Sequence, residues 1–268
     1  MNKQIYLITG CSTGIGKSLC GQAYRNGHTV IATARSEKAL EQITATYKII
    51  LDVTKPESIE SAQQQIHDTC GGIDILINNA GYAIRGAMEE VSLTDVRNLF
   101  DVNVFGVIRM LQAFLPDMRK AQSGRIITIG SISGRFSQPV NGTYCASKSA
   151  VEAIHDALRT ELKEFNIESC VIEPGPVKTE FEHKAESVSL NLFKNQSSPY
   201  SGLYKAHEEM KNSQHEADAE AIAEQILAIS GKKHLKARYM VGVPAVSRLL
   251  SSAPDAVREH IFSKMYNR

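Results

Sequence analysis

Short apolar runs alternate with segments of helical period through the first half of the chain. Ile5–Ile8, His28–Thr33, Tyr47–Leu51 and Ile73–Ile77 are apolar enough to be strands buried on both faces. Between them, Gly14–Asn26, Lys38–Thr46 and Glu57–Thr69 carry apolar residues at helical spacing, with Gly27 closing the first and Pro56 opening the third. Such alternation predicts a parallel sheet covered by helices on both faces, joined by right-handed crossovers. Further on, Arg125–Ile129 and Glu168–Glu173 predict a fifth and a sixth strand, and Arg238–Val243 a seventh, with long helices at Val104–Lys120 and Thr143–Phe165. The expected fold is α/β, a doubly wound parallel sheet of about seven strands in three layers.

The least regular stretch runs from Thr179 to His215 and mixes apolar residues with Ser, Asn and charges. An insertion of that kind after a strand end predicts a lid with short helices, at about 180–216. With no internal repeat or low-complexity tract, residues 1–268 are expected to form a single domain, ending in an extended segment at about 243–268.

Composition narrows the function. The chain has 268 residues, 43% apolar and 22% charged, an ordinary globular mixture. A net charge of +1 gives no whole-protein field toward nucleic acid, and the cluster Lys232, Lys233, Lys236 and Arg238 reads as solvated surface. Cys11, Cys20, Cys70, Cys145 and Cys170 are odd in number, lie outside metal-ligand spacing and fall mostly in apolar segments, so reduced thiols and no bound metal are expected. The N-terminus enters a strand directly, and no run of about 18 apolar residues suggests a membrane span. A cytoplasmic protein is expected.

Thr9-Gly10-Cys11-Ser12-Thr13-Gly14-Ile15-Gly16 links the first strand to the first helix. Gly10 permits a sharp strand exit, Gly14 lets backbone approach a pyrophosphate, and Gly16 allows close helix–strand packing. The helix amino end then favours an anion, which makes this a candidate dinucleotide turn of the Rossmann type. An acidic residue about 20 positions on would bind the ribose 2′-hydroxyl of NAD. Arg35 and Ser36 stand there instead, and the Arg35 fork suits a 2′-phosphate, so NADP(H) is expected, with NAD(H) as the alternative. A solvated Arg35 with Glu37 on the ribose is the competing reading. Asp52 and Val53 follow the third strand, Asn79, Ala80 and Gly81 the fourth, and Pro174, Gly175, Val177 and Thr179 the sixth. Ligands of open α/β sheets bind along this carboxyl edge.

Tyr144 and Lys148 stand four apart in a helical segment and share a face. A carbonyl reduction needs a proton donor beside the hydride acceptor, and a phenol can serve if a nearby cation favours its ionised form. YxxxK alone is weak, since nine tyrosines invite a chance match. Ser131, at the exit of the fifth strand, can bind the substrate oxygen; Ser133 sits further from the strand.

Thr9-to-Gly16, Asn78-to-Gly81, Asn103, Ser131, Tyr144, Lys148 and Pro174-Gly175 together resemble the short-chain dehydrogenase/reductase family in its single-domain form, from residue 4 to about 180. The resemblance implies Tyr144 as acid/base, Ser131 on the substrate oxygen, Lys148 on the nicotinamide ribose, and Asn103 holding a water that links Lys148 to solvent. It also implies Asp52 at the adenine, Asn79 near the adenosine ribose, Val177 and Thr179 at the carboxamide, and a homodimer or homotetramer built on the two long helices. Arg35, the Tyr144–Lys148 segment and Val243–Tyr266 are similar to hydroxysteroid and retinol dehydrogenase-like members, which implies an apolar substrate. Ile132, Val140, Phe181, Leu190 and Phe193 are the candidate pocket residues. A nucleotide-binding redox sensor is the alternative, opposed by four filled catalytic positions. A sugar-nucleotide epimerase is opposed by chain length and glycine spacing.

Overall fold

The computed structural model describes residues 3–213 and 216–266. Gln214 and His215, near the end of the expected lid, and Asn267 and Arg268, the end of the C-terminal segment, lie outside the described residues.

The chain alternates β1 (Ile5–Ile8), α1 (Gly14–Arg25), β2 (Thr29–Ala34), α2 (Glu37–Leu40), β3 (Tyr47–Ile50), α3 (Pro56–Cys70) and β4 (Ile75–Asn78). Then come α4 (Leu93–Phe100), α5 (Gly106–Ala121), β5 (Gly124–Ile129), α6 (Gly142–Glu161) and β6 (Ile167–Pro174). The excursion after β6 comprises β7 (Val177–Lys178), α7 (Glu180–Lys194), α8 (Ser201–Ser213) and β8 (Ala217–Asp218). It is followed by α9 (Ala219–Ser230), β9 (Arg238–Val241), α10 (Ala245–Ser252) and α11 (Asp255–Tyr266). The main sheet is seven-stranded in the order β3-β2-β1-β4-β5-β6-β9, every pair parallel.

Strand alternation divides the core in two. Tyr6, Ile8, Ala32, Ile77 and Ile127 point to one face, against Leu19, Ala23, Ile222 and Ile226 of α1 and α9. Leu7, Ile31, Leu76 and Ile126 point to the other, against Ile66, Met110, Phe114 and Val151 of α3, α5 and α6. A third cluster lies at the carboxyl edge, where Phe136, Tyr204, Phe262 and Tyr266 join the excursion to the C-terminal helices.

Three helices differ from the expected pattern. The segment Lys38–Thr46 stops being helical at Leu40 because Thr46 is drawn to the edge of β2, where it exchanges backbone and side-chain hydrogen bonds with Val30. The helix expected from Val104 starts at Leu93, where Ser92 caps it, and contains a wide π turn at Asp101–Phe105. The long helix containing Tyr144 ends at Glu161, and Lys163–Phe165 is a tight 3₁₀ turn before left-handed Asn166. The continuous helical run Leu93–Ala121 is long and apolar enough to cross a membrane, a feature absent from the sequence reading. Its apolar face, from Val107 to Met118, is buried against the sheet.

Candidate active site

The sheet order reverses between β1 and β4, and the strand exits on either side are tied together. Thr9 Oγ1 accepts from the backbone N–H groups of Asn79 and Ala80, both at 3.0 Å. Asn79 Nδ2 donates back to the carbonyls of Thr9 and Gly10 at 2.8 and 3.0 Å. Two glycines are required here. Gly10 has φ +70°, and a Cβ on it would lie 2.7 Å from Ala80 Cα; one on Gly16 would lie 2.4 Å from Asn79 Nδ2. Gly14, at φ +58°, abuts Thr179, whose Cγ2 would be 3.0 Å from an added Cβ. The Thr13 side chain makes no capping hydrogen bond at the amino end of α1. This glycine cradle, open to the cleft at the amino end of α1, fits a pyrophosphate.

The cleft has a volume of about 1220 Å³ and runs along the carboxyl edge. Gly10, Ser12, Thr13, Gly14, Ile15, Arg35, Ser36, Asp52, Val53, Asn79, Ala80 and Gly81 line one half. Ser131, Tyr144, Lys148, Pro174, Gly175, Val177 and Thr179 continue the wall. Gly16 and Asn103 sit behind it. Arg35 lines the cleft while Glu37 does not. Burial pushes the Asp52 carboxyl up, but two hydrogen bonds from Thr54 and the Arg35 and Lys55 charges outweigh it and hold it below its ordinary value.

At the far end, β5 delivers Ser131, whose Oγ accepts from Ser133 N–H at 3.1 Å and begins a short 3₁₀ turn. Tyr144 and Lys148 project from α6, 7% and 6% exposed. Lys148 Nζ donates to the Ile129 carbonyl at 2.8 Å and stands 5.8 Å from the Tyr144 ring centroid. Burial lowers the Lys148 ammonium to about 8, and Glu152 one turn on partly offsets this. Asn103 sits on the π turn. Its Oδ1 accepts from Tyr82 N–H at 3.1 Å, and its Nδ2 donates to Tyr82 O at 2.9 Å and Ser147 Oγ at 3.0 Å. The amide thus clamps the β4 exit to α6.

Of the expected pocket residues, Ile132 and Phe181 line the cleft and three do not. Val140 is buried with φ +67°, and its carbonyl accepts from Gly86 N–H, so it shapes the loop before α6. Leu190 lies on the outer side of α7, 43% exposed. Phe193 stacks on Tyr204 at 4.8 Å. The sequence reading missed Arg85, Asn141, His207, Met210, Met265 and Tyr266, all of which line the cleft. No periodicity marks Arg85 or Asn141, and the others come from chain segments far from the motifs. The expected short lid helices are longer than supposed, and β7 pairs with β8, so the excursion leaves and returns at one point.

The fold is that of an α/β oxidoreductase of the Rossmann type, and the chain belongs to the short chain dehydrogenase family, whose model matches residues 4–189. It is 42% identical over 181 residues to the 3-ketodihydrosphingosine reductase of Bacteroides thetaiotaomicron, covering 68% of this chain and 66% of that one. It is 33% identical to the NADPH-dependent 3-dehydrocapnine reductase of Ornithobacterium rhinotracheale, covering 96% and 95%. It is 36% identical to human 17-beta-hydroxysteroid dehydrogenase type 1, covering 69% and 60%. A short-chain dehydrogenase structure from Streptomyces avermitilis superposes with a TM-score of 0.81 at 28% identity, covering 97% and 95%.

Proposed function

We propose that this chain interconverts a ketone or aldehyde and an alcohol using NADP(H), with Tyr144 as the acid/base group and an apolar substrate of steroid-, retinoid- or lipid-like character. The observation that carries the reading is the burial of Tyr144 and Lys148 side by side in the cleft that Ser131 also lines.

The glycine turn, Ser12 and Thr13 would hold the pyrophosphate, and Arg35 with Ser36 the 2′-phosphate. Asp52 and Val53 would meet the adenine, Asn79, Ala80 and Gly81 would back the adenosine half, and Pro174, Gly175, Val177 and Thr179 would frame the nicotinamide. Bound there, the dinucleotide supplies the hydride and, when oxidised, a positive charge. Ser131 accepts from Ser133 N–H, so its own hydroxyl proton is available to the substrate oxygen. Tyr144 gives a proton to that oxygen during reduction and takes it back during oxidation. The Lys148 ammonium, 5.8 Å from the Tyr144 ring centroid, favours the phenolate over the neutral phenol. The helices α7 and α8 would act as a lid, since Phe181, His207 and Met210 close the substrate end. The exposed Leu93 and Phe105, on α4 and the π turn, support a homo-oligomer interface there.

Replacing Tyr144 by Phe tests the reading. Turnover of NADPH with a panel of ketones is expected to fall by about a thousandfold, with NADPH binding kept as measured by fluorescence titration. Retained turnover would overturn the assignment.

A further inference from the structure

We infer that Arg85 is a second cation acting on the Tyr144 phenol, a positioning residue that works with Lys148 to favour the phenolate. The inference rests on Tyr144 being the acid/base group.

Arg85 lies in the loop after β4 and is 9% exposed. Its guanidinium carbon stands 5.3 Å from the Tyr144 ring centroid, nearer than Lys148 Nζ at 5.8 Å. The two cations reach the ring from different elements. Arg85 is fixed at both ends: its backbone N–H donates to Ser189 Oγ of α7 at 2.8 Å, and its Nη1 donates to Asn141 Oδ1. Asn141 is the residue from which α6 starts, so the guanidinium is held against the helix that carries the tyrosine.

A cation this close and this buried is screened little by solvent, and it acts on the charged form of the phenol more than on the neutral one. Cys145 follows Tyr144 on α6, the Phe181 ring of α7 stands 5.8 Å from the Tyr144 ring, and His207 of α8 and Tyr266 of α11 line the same cleft. Burial lifts the Cys145 thiol and the Tyr266 phenol above their ordinary values, so both remain neutral where the enzyme works. His207 stands against Tyr266 at 3.2 Å. Glu152, one turn beyond Lys148, raises the proton affinity of that ammonium.

The sign follows directly. Removing the Arg85 charge raises the proton affinity of Tyr144. Alcohol oxidation, which needs the phenolate, then starts at higher pH, and carbonyl reduction, which needs the phenol, persists to higher pH.

The test is the pH profile of kcat in both directions, at saturating NADP⁺ or NADPH, for the parent enzyme, Arg85→Met, Arg85→Gln and Arg85→Lys. The expected result is an alkaline shift of both limbs by about one pH unit in Arg85→Met and Arg85→Gln, with Arg85→Lys restoring most of it. Should Arg85→Met not fold, Arg85→Gln and Arg85→Lys still give the comparison. Limbs that stay in place overturn the inference, whether KM rises, which would make Arg85 a substrate anchor, or kcat falls at all pH values, which would make it a structural brace. Tyr144→Phe run alongside separates the two readings. Turnover retained there removes the proposed function itself, whereas an inactive Tyr144→Phe with unmoved Arg85 profiles removes this inference alone.

Discussion

In the proposed function, Arg35 is the one side chain that would set the cofactor preference. It lines the cleft at the exit of β2, next to Asp52, where a 2′-phosphate would add two or more charge-assisted hydrogen bonds, each worth about 1.5–3 kcal/mol. Arg35→Asp is expected to weaken NADPH binding by tenfold to a few hundredfold and to leave NADH binding nearly unchanged, as read by titration with each nucleotide. Equal losses would move the 2′-group elsewhere. The place of Arg35 on the cleft was legible in the sequence because strand ends and glycine turns fix where the carboxyl edge of the sheet opens. A strand end likewise marked Ser131, and spacing on one helix face marked Tyr144 and Lys148. Neither could mark Arg85, whose partners Asn141 and Ser189 are 56 and 104 positions away. Nor could they sort Val140, Leu190 and Phe193: being apolar says that a residue avoids water, not which cavity it faces.

The helix α6 shows what an element adds. Tyr144, Lys148, Glu152 and His155 fall at intervals of four, four and three, one stripe along a buried face. The upper half of the stripe faces the cleft, and the lower half titrates out of reach of substrate. Glu152 donates no proton to a partner but accepts from Arg238 Nε at 2.6 Å, and burial together with Glu173 pushes its carboxyl up to about 7. His155 lies between Ser169 and Thr128 hydroxyls, each at 2.7 Å, and burial with Arg238 lowers its imidazole to about 4. The two have opposite linkage. The raised Glu152 contributes stability that is present below its unfolded value of 4.5 and is lost as pH rises through about 7. The lowered His155 contributes stability that is present above 6.5 and is lost as pH falls through about 4. Their slopes cancel between 4.5 and 6.5. Glu152→Gln is therefore expected to lose stability on acidification across that window, and His155→Gln to gain it, each by about 1–3 kcal/mol, as followed by Tm against pH. Parallel Tm curves for parent and variants would contradict the opposed titrations. The sequence displayed the spacing of Tyr144 and Lys148 but not the lower half of the stripe, since polar residues on a core-facing stripe announce themselves only when their partners on β5, β6 and β9 are known.

At the scale of the whole molecule, strand count, order of elements and the placement of motifs along one edge were all legible, because two-sided apolar strands separated by helices admit few topologies. What escaped was the far end of the chain. The stack of Phe136 on Phe262 at 6.0 Å and the bond from Tyr266 to the Pro139 carbonyl at 3.3 Å join residues more than a hundred positions apart, and no local pattern encodes them. One contact of this long-range kind has kinetic weight. Gly14 leans on Thr179, and Thr179 Oγ1 accepts from Phe181 N–H at 3.2 Å to start α7. In the proposed function, whatever grips the first turn of the protein would also steady the root of the segment roofing the reaction chamber. The order of arrival should be fixed accordingly, nucleotide before carbonyl compound. Product-inhibition patterns are expected to show NADP⁺ competing with NADPH alone, and an unreactive substrate analogue should bind the nucleotide-loaded protein and not the empty one.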